Sequence, residues 1–314
     1  MSVATQRRAL FAAPVIAGAG LTACYTFLIS GADAITKMFA AGYAAPQLFA
    51  LSGAIVAFLC VLFDRLGQEP KGLRTRCPAA MAVRVMATVA GTLAFFYAFR
   101  LLPFAEVFVF IAMIPLFAAL VSGPVLGERV RPQAWAALCL GAVGVICLFP
   151  GGVASVGTGH LVALAAVLLG TVSMVASRYI GTRDDNLLTQ VFYPNLGLML
   201  VMGLALPFVF TPMTTADLGW AVIYAGVLFG ARWVLVAALR LLPAYVVTPL
   251  MNLQFLWMVV IGAVIFGEMP SAVVYIGAAI VIVAGAWLVW DQTLPRSDRP
   301  VTSRRTGRRV VPAE

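Results

Sequence analysis

Six charged residues stand inside or at the edges of long apolar stretches: Asp33, Lys37, Arg84, Glu106, Arg178 and Arg232. An ionised group in hydrocarbon costs at least about 2.5–3.5 kcal/mol, so each needs a partner, a route to water or a polar cavity. Arg84 and Arg178 lie within a turn or two of the ends of their stretches and can extend their heads to the interface. Lys37 also lies near an end, but Asp33 precedes it by four residues on one helical face. That spacing favours an ion pair, with gating or ligand contact as the other reading. Arg232 is too deep to reach headgroups easily, and Tyr224 stands eight residues earlier. A guanidinium there should face a polar cavity, to meet Asp33, Glu106 or an anionic group of a substrate. Glu106 follows Pro103 by one turn, where a carboxylate favours a helix N-terminus. Buried instead, it would suit proton coupling.

The elements that carry these groups must be membrane helices. The 314-residue chain is 62% hydrophobic and 11% charged, with a mean hydropathy of +1.01. Soluble domains carry about a quarter charged residues, so the solvent here is lipid. Apolar windows of crossing length fall at roughly 14–38, 46–63, 80–101, 103–125, 132–149, 160–180, 188–210, 218–239, 243–266 and 271–290. No ten-residue alternation marks a barrel, so the fold class is all-α and polytopic, with ten transmembrane helices. The apolar run after Arg7 and Arg8 is too long for a signal peptide.

The net charge of +9 sits in short loops and a tail rather than on one face, which argues against nucleic acid. Arg7, Arg8, Arg65, Lys71, Arg74, Arg76, Arg129, Arg131, Arg183, Arg240 and the tail arginines all fall on one side of a ten-span topology, against Arg100 alone on the other. The positive-inside bias therefore puts both termini in the cytoplasm, with the chain integral to the plasma (cell inner) membrane. Residues 292–314 form a basic tail expected to be disordered and to rest on anionic lipid. Five cysteines without a CxxC pair, and the single histidine, His160, supply no metal set. No P-loop, catalytic triad or cofactor motif is present, so no metal, cofactor or enzymatic activity is expected.

One stretch occurs twice at an offset of 140 residues. Arg100-Leu101-Leu102-Pro103 leads to Gly127-Glu128, and Arg240-Leu241-Leu242-Pro243 leads to Gly267-Glu268. Two units of five spans, 14–150 and 151–291, must enter the membrane from opposite sides, which makes them inverted repeats. The Gly-Glu pairs read as turn and helix-start devices.

Where the copies disagree, ligand contact is the expectation, because a duplicated scaffold needs the same packing in both. Asn252 and Gln254 stand opposite Ala112 and Ile114, and Arg232 opposite Thr92. With Trp257, Tyr97, Tyr193 and Trp233 they are the candidate substrate-binding residues. Asp33, Lys37 and Glu106 are the candidates for an ion pair or for coupling. Pro115 and Pro249 remove backbone donors within spans and should kink them around a midplane site. Gly226 and Gly230 form a GxxxG pattern that predicts close helix approach.

Phe96-Tyr97-Ala98-Phe99-Arg100-Leu101-Leu102-Pro103, Pro115 to Leu120 and Leu126-Gly127-Glu128-Arg129-Val130 resemble the EamA domain of the drug/metabolite transporter superfamily. Ala238 to Pro243 and Phe266-Gly267-Glu268 resemble its second copy. Ser52 stands where members often carry an arginine, and Met269-Pro270 replaces more basic residues. The resemblance implies a ten-helix inverted-repeat carrier of small metabolites. The leading expectation is therefore a secondary transporter of an amino acid or related compound, an exporter working by alternating access. Uptake of a vitamin or cofactor such as riboflavin or S-adenosylmethionine is the alternative, and an intramembrane enzyme the remote one.

Overall fold

The computed structural model describes residues 3–67, 72–114, 116–118, 156–184, 186–241 and 250–293, with scattered positions between 121 and 143. All regular structure among the described residues is helical: α1 (Val3–Gly42), α2 (Ala45–Leu66), α3 (Pro78–Leu101), α4 (Phe104–Ile111), α5 (Thr158–Gly181), α6 (Leu187–Val209), α7 (Thr215–Leu241), α8 (Leu253–Phe266) and α9 (Ala272–Thr293). Proline in the first turn starts α2 and α3, where its missing N–H costs nothing. Asn186 caps α6 by accepting the Leu188 N–H. Gly267 ends α8 at φ +65°, a left-handed conformation that a side chain would resist.

Five helices are long and apolar enough to cross a bilayer: α2, α3, α5, α6 and the 215–235 part of α7. They coincide with expected spans. The expected span at 103–125 begins as α4, and helical residues continue to 118. The span at 132–149 falls almost wholly outside the described residues, as do Gly127-Glu128, Pro115, Pro249 and residues 294–314.

The tightest packing runs between distant parts of the chain. α3 lies against α5, α2 against α6 and α1 against α7, with lesser contacts of α1 with α8, α4 with α5, α3 with α6, and α2 with α7. Phe49 and Phe96 bury edge to face between α2 and α3, while Phe108 meets Phe255 between α4 and α8.

Glycine sets one of these approaches. A Cβ at Gly53 of α2 would lie 2.7 Å from the Asn195 carbonyl oxygen and 2.9 Å from the Met199 nitrogen of α6. Among the described residues nothing lies within 4 Å of a Cβ placed at Gly226 or Gly230, so the expected GxxxG contact is not seen there. Gly53→Val should force α2 from α6 and cut the yield of folded protein in detergent chromatography severalfold, whereas Gly226→Ala should leave it unchanged.

The helix ends gather into two polar faces. At one, Asp184 accepts the Arg76 N–H at 2.9 Å and the Asn186 N–H at 3.1 Å, while Asn186 Nδ2 donates to Gly72 O at 2.6 Å. The backbone donors of Arg76 and Asn186 hold the Asp184 carboxyl below its ordinary range. A lowered folded-state pKa stabilises above the unfolded value of about 3.9 and is lost as pH falls through the folded value. Asp184→Asn should therefore lower Tm at pH 7, with the deficit shrinking below about pH 4. At the other face Gln47 Nε2 donates to Thr211 O at 2.8 Å and Tyr43 Oη to Asp217 Oδ2 at 2.6 Å.

Candidate functional site

The broken helices mark the site. In α4 the helix lapses into a turn at Ala112–Met113, and before α8 a matching turn occupies Met251–Asn252. A proline at 115 has no N–H for the Ile111 carbonyl, and its ring crowds that carbonyl, so the sequence favours a break there. The residues beside the two turns, Ile111, Ile114 and Gln254, border a cavity of about 250 Å³. Asp33 and Thr36 of α1, Phe49 of α2, Thr92 and Phe99 of α3 and Tyr224 of α7 close it. Asp33 stands nine residues before the end of α1, roughly 14 Å along the axis at 1.5 Å per residue. That is close to the middle of a hydrocarbon layer about 30 Å thick.

The cavity's polar contact is a carboxylate and an amide. Gln254 Nε2 donates to Asp33 Oδ2 at 3.0 Å. Above and below them α1 carries a row of buried hydroxyls: Thr22, Thr26, Ser30 and Thr36. Thr22 and Thr36 donate back to the carbonyls of Gly18 and Ala32, and Thr26 accepts from Trp257 Nε1 at 3.1 Å. This row escaped the sequence reading. Its signal is hydroxyl residues four apart from 22 to 30, a polar face on an otherwise apolar helix.

The expected Asp33–Lys37 pair does not form. Lys37 lies one turn nearer the helix end, and its Nζ meets Glu268 Oε1 at 2.6 Å and Leu102 O at 3.1 Å. Glu268 Oε2 in turn accepts the Phe104 N–H at 2.7 Å, so it serves as a helix-start device, for α4 rather than for the helix that follows it. The rings of Phe104 and Phe266 flank the ammonium, with centroids 5.9 and 5.2 Å away. Asp33 is left to Gln254 because α8 presents the amide at its depth.

Glu106 lies at this same polar face. Its Oε2 is 3.8 Å from His160 Nε2, and it borders a separate cavity of about 160 Å³ with Glu268 and Ser271. Neither Asp33 nor Glu106 pairs with Arg232 among the described residues. Arg232 is exposed on α7. Arg84 turns inward instead of reaching the interface, and its Nη1 bonds Gln190 Oε1; Arg178 is exposed as expected.

The aromatic candidates mostly leave the site. Tyr97 is 41% exposed on the outside of α3, and Trp233 is 53% exposed and packs on Phe63 and Phe229. Tyr193 donates to Leu73 O at 2.8 Å and anchors the connection before α3. Their rings cover apolar surface, the commoner use of an aromatic. Trp257 does not line the cavity and donates to Thr26, and Asn252 occupies the N-cap of α8 without bonding its backbone.

Apolar helices of crossing length and a polar cavity at mid-depth define a multi-pass membrane protein. Residues 16–149 match the model of the EamA-like transporter family. A solved crystal structure aligns with a TM-score of 0.59 at 19% identity, covering 88% of this chain and 98% of the other. At that identity the likeness establishes fold alone. No curated protein matches.

Proposed function

We propose that this protein is a secondary transporter that carries a small metabolite by alternating access between two inverted five-helix halves. The observation that carries the reading is the Asp33–Gln254 pair facing a mid-depth cavity between two broken helices. Discontinuous helices at the repeat interface are how such carriers build a binding site without exposing backbone to lipid. The packing pattern supports the inversion. An offset of 140 turns the α3–α5 contact into α7–α1, α3–α6 into α7–α2, and α4–α5 into α8–α1, and each of these contacts exists.

Cavity size bears on the cargo. Pockets for drug-sized ligands run to about 300–1,000 Å³, and this one holds about 250 Å³. It suits an amino acid or a related compound better than a flavin or S-adenosylmethionine. Asp33 offers a carboxylate to an ammonium group, and Tyr224 and Phe49 offer apolar walls. The lysine and arginine distribution favours both termini in the cytoplasm, and export across the inner membrane is the direction this proposal takes. The test is counterflow of labelled amino acids into proteoliposomes of the purified chain. Uptake above empty vesicles that is lost in Gln254→Leu supports the reading; equal flux in wild type and variant overturns it.

A further inference from the structure

The central cavity and the smaller one at the Glu268 face lie in succession along α4 and α8. Ile111 and Gln254 border the first, while Glu106 and Met258 border the second. Glu106 precedes Ile111 by five residues and Met258 follows Gln254 by four, so the separation is roughly 6–8 Å on each helix. The smaller cavity has an exposed outer end, at Met269 and Ser271. At its inner end is Met258, which is fully buried. Met258 also touches the polar pair of the central cavity. Its Sδ lies 3.9 Å from Gln254 Nε2, the nitrogen that donates to Asp33.

Positions 254, 258 and 262 are four apart and form one face of α8. They carry an amide, a thioether and a hydrogen. Gly262 leaves its turn of that face without a side chain, and a Cβ placed there would meet Phe104 Cβ at 3.8 Å, an ordinary contact. Met258 is therefore the side chain on this face that stands between the two cavities. The rings beside it are packed: Phe108 meets Phe255 with centroids 5.2 Å apart, and Phe255 meets Tyr275 edge to face. Methionine is unbranched with three rotatable bonds, so it can swing aside where a packed ring cannot. The feature belongs to one half only. At the offset of 140 Met258 corresponds to Ala118, so packing common to both copies does not call for the longer side chain.

We infer that Met258 is the movable plug of a solute pathway that runs from the central cavity through the smaller cavity to the Glu268 face. The pathway rests on the transport reading above. A solute ammonium that takes Asp33 from Gln254 frees the amide beside the thioether, so the plug touches the group that responds to occupancy. The outer cavity, at about 160 Å³ against 250 Å³, is the narrower part of the route, and Met258 limits the width of solute that enters it.

The test is thiol labelling of the full chain with its five native cysteines replaced by alanine. A membrane-impermeant reagent is applied to intact cells or to inside-out vesicles, whichever labels Met269→Cys and spares Arg183→Cys on the opposite face. From that side Thr92→Cys, in the wall of the central cavity, should react slowly. Adding Met258→Ala should raise its rate about tenfold, because access no longer waits on the side chain. Met258→Leu, of similar volume, should raise it far less. Equal rates in Met258→Ala and its parent overturn the plug. A second measurement needs no change at 258: a bulky maleimide on Ser271→Cys, at the outer end, should abolish counterflow in proteoliposomes. Undiminished counterflow after complete modification overturns the pathway and leaves the transporter reading standing. Labelling that depends on Met258 without any counterflow would do the reverse.

Discussion

Asp33→Leu is expected to reduce counterflow about 10- to 100-fold while the protein still inserts and elutes as a folded species. The leucine removes the acceptor of the Gln254 amide, which then faces the cavity with its donor unmet. Leaving a buried polar group unsatisfied costs about 1–3 kcal/mol, and each 1.4 kcal/mol is tenfold in an equilibrium. Solute must also be bound without the carboxylate. Asp33→Asn separates the two losses, because its amide oxygen can still accept from Gln254 while the charge is gone. Flux in Asp33→Asn close to wild type would show that geometry alone matters and that no cationic group of the solute meets this position. Flux as low as in Asp33→Leu would assign the effect to charge.

The class of the protein was legible in composition, and the positions of α2, α3, α5, α6 and α7 were legible in window length, because lipid imposes one length and one polarity on every crossing helix. Of the candidate site, the place of Gln254 at the cavity was legible. Its polarity broke the symmetry of the two copies, and the structure sets it on Asp33 at the cavity wall. Asymmetry was no guide to the cavity for Asn252, which stands at the start of α8 outside the cavity lining. The aromatic candidates failed for a simpler reason: a ring on a membrane helix is equally at home against lipid, and composition does not say which face it occupies. Tyr97 and Trp233 are of this kind. The Asp33–Lys37 pair failed because spacing on one helix records which groups can meet, not which better partners the neighbouring helices bring.

The polar contacts at Glu268 lead to the second large effect. Glu268 joins three elements: its carboxylate takes the Lys37 ammonium from α1 and the Phe104 N–H at the start of α4, from the turn that follows α8. The side chains of Lys37 and Glu268 are 12% and 31% exposed. Such a pair falls between an exposed one, worth at most about 1 kcal/mol, and a buried one, whose disruption costs about 3–5 kcal/mol. Glu268→Ala should therefore lower stability by about 2 kcal/mol, since it strands the ammonium and the helix N-terminus together. Lys37→Met should cost less, because Glu268 keeps the Phe104 donor. The double variant should be no worse than Glu268→Ala alone, as it leaves no stranded ammonium. If the proposed alternating access holds, this contact would keep one face shut, and Glu268→Ala should then raise the labelling rate of a cysteine placed at Ala105, which lines the adjoining cavity. Labelling unchanged despite the lost stability would make the triad a structural brace and move the gate elsewhere.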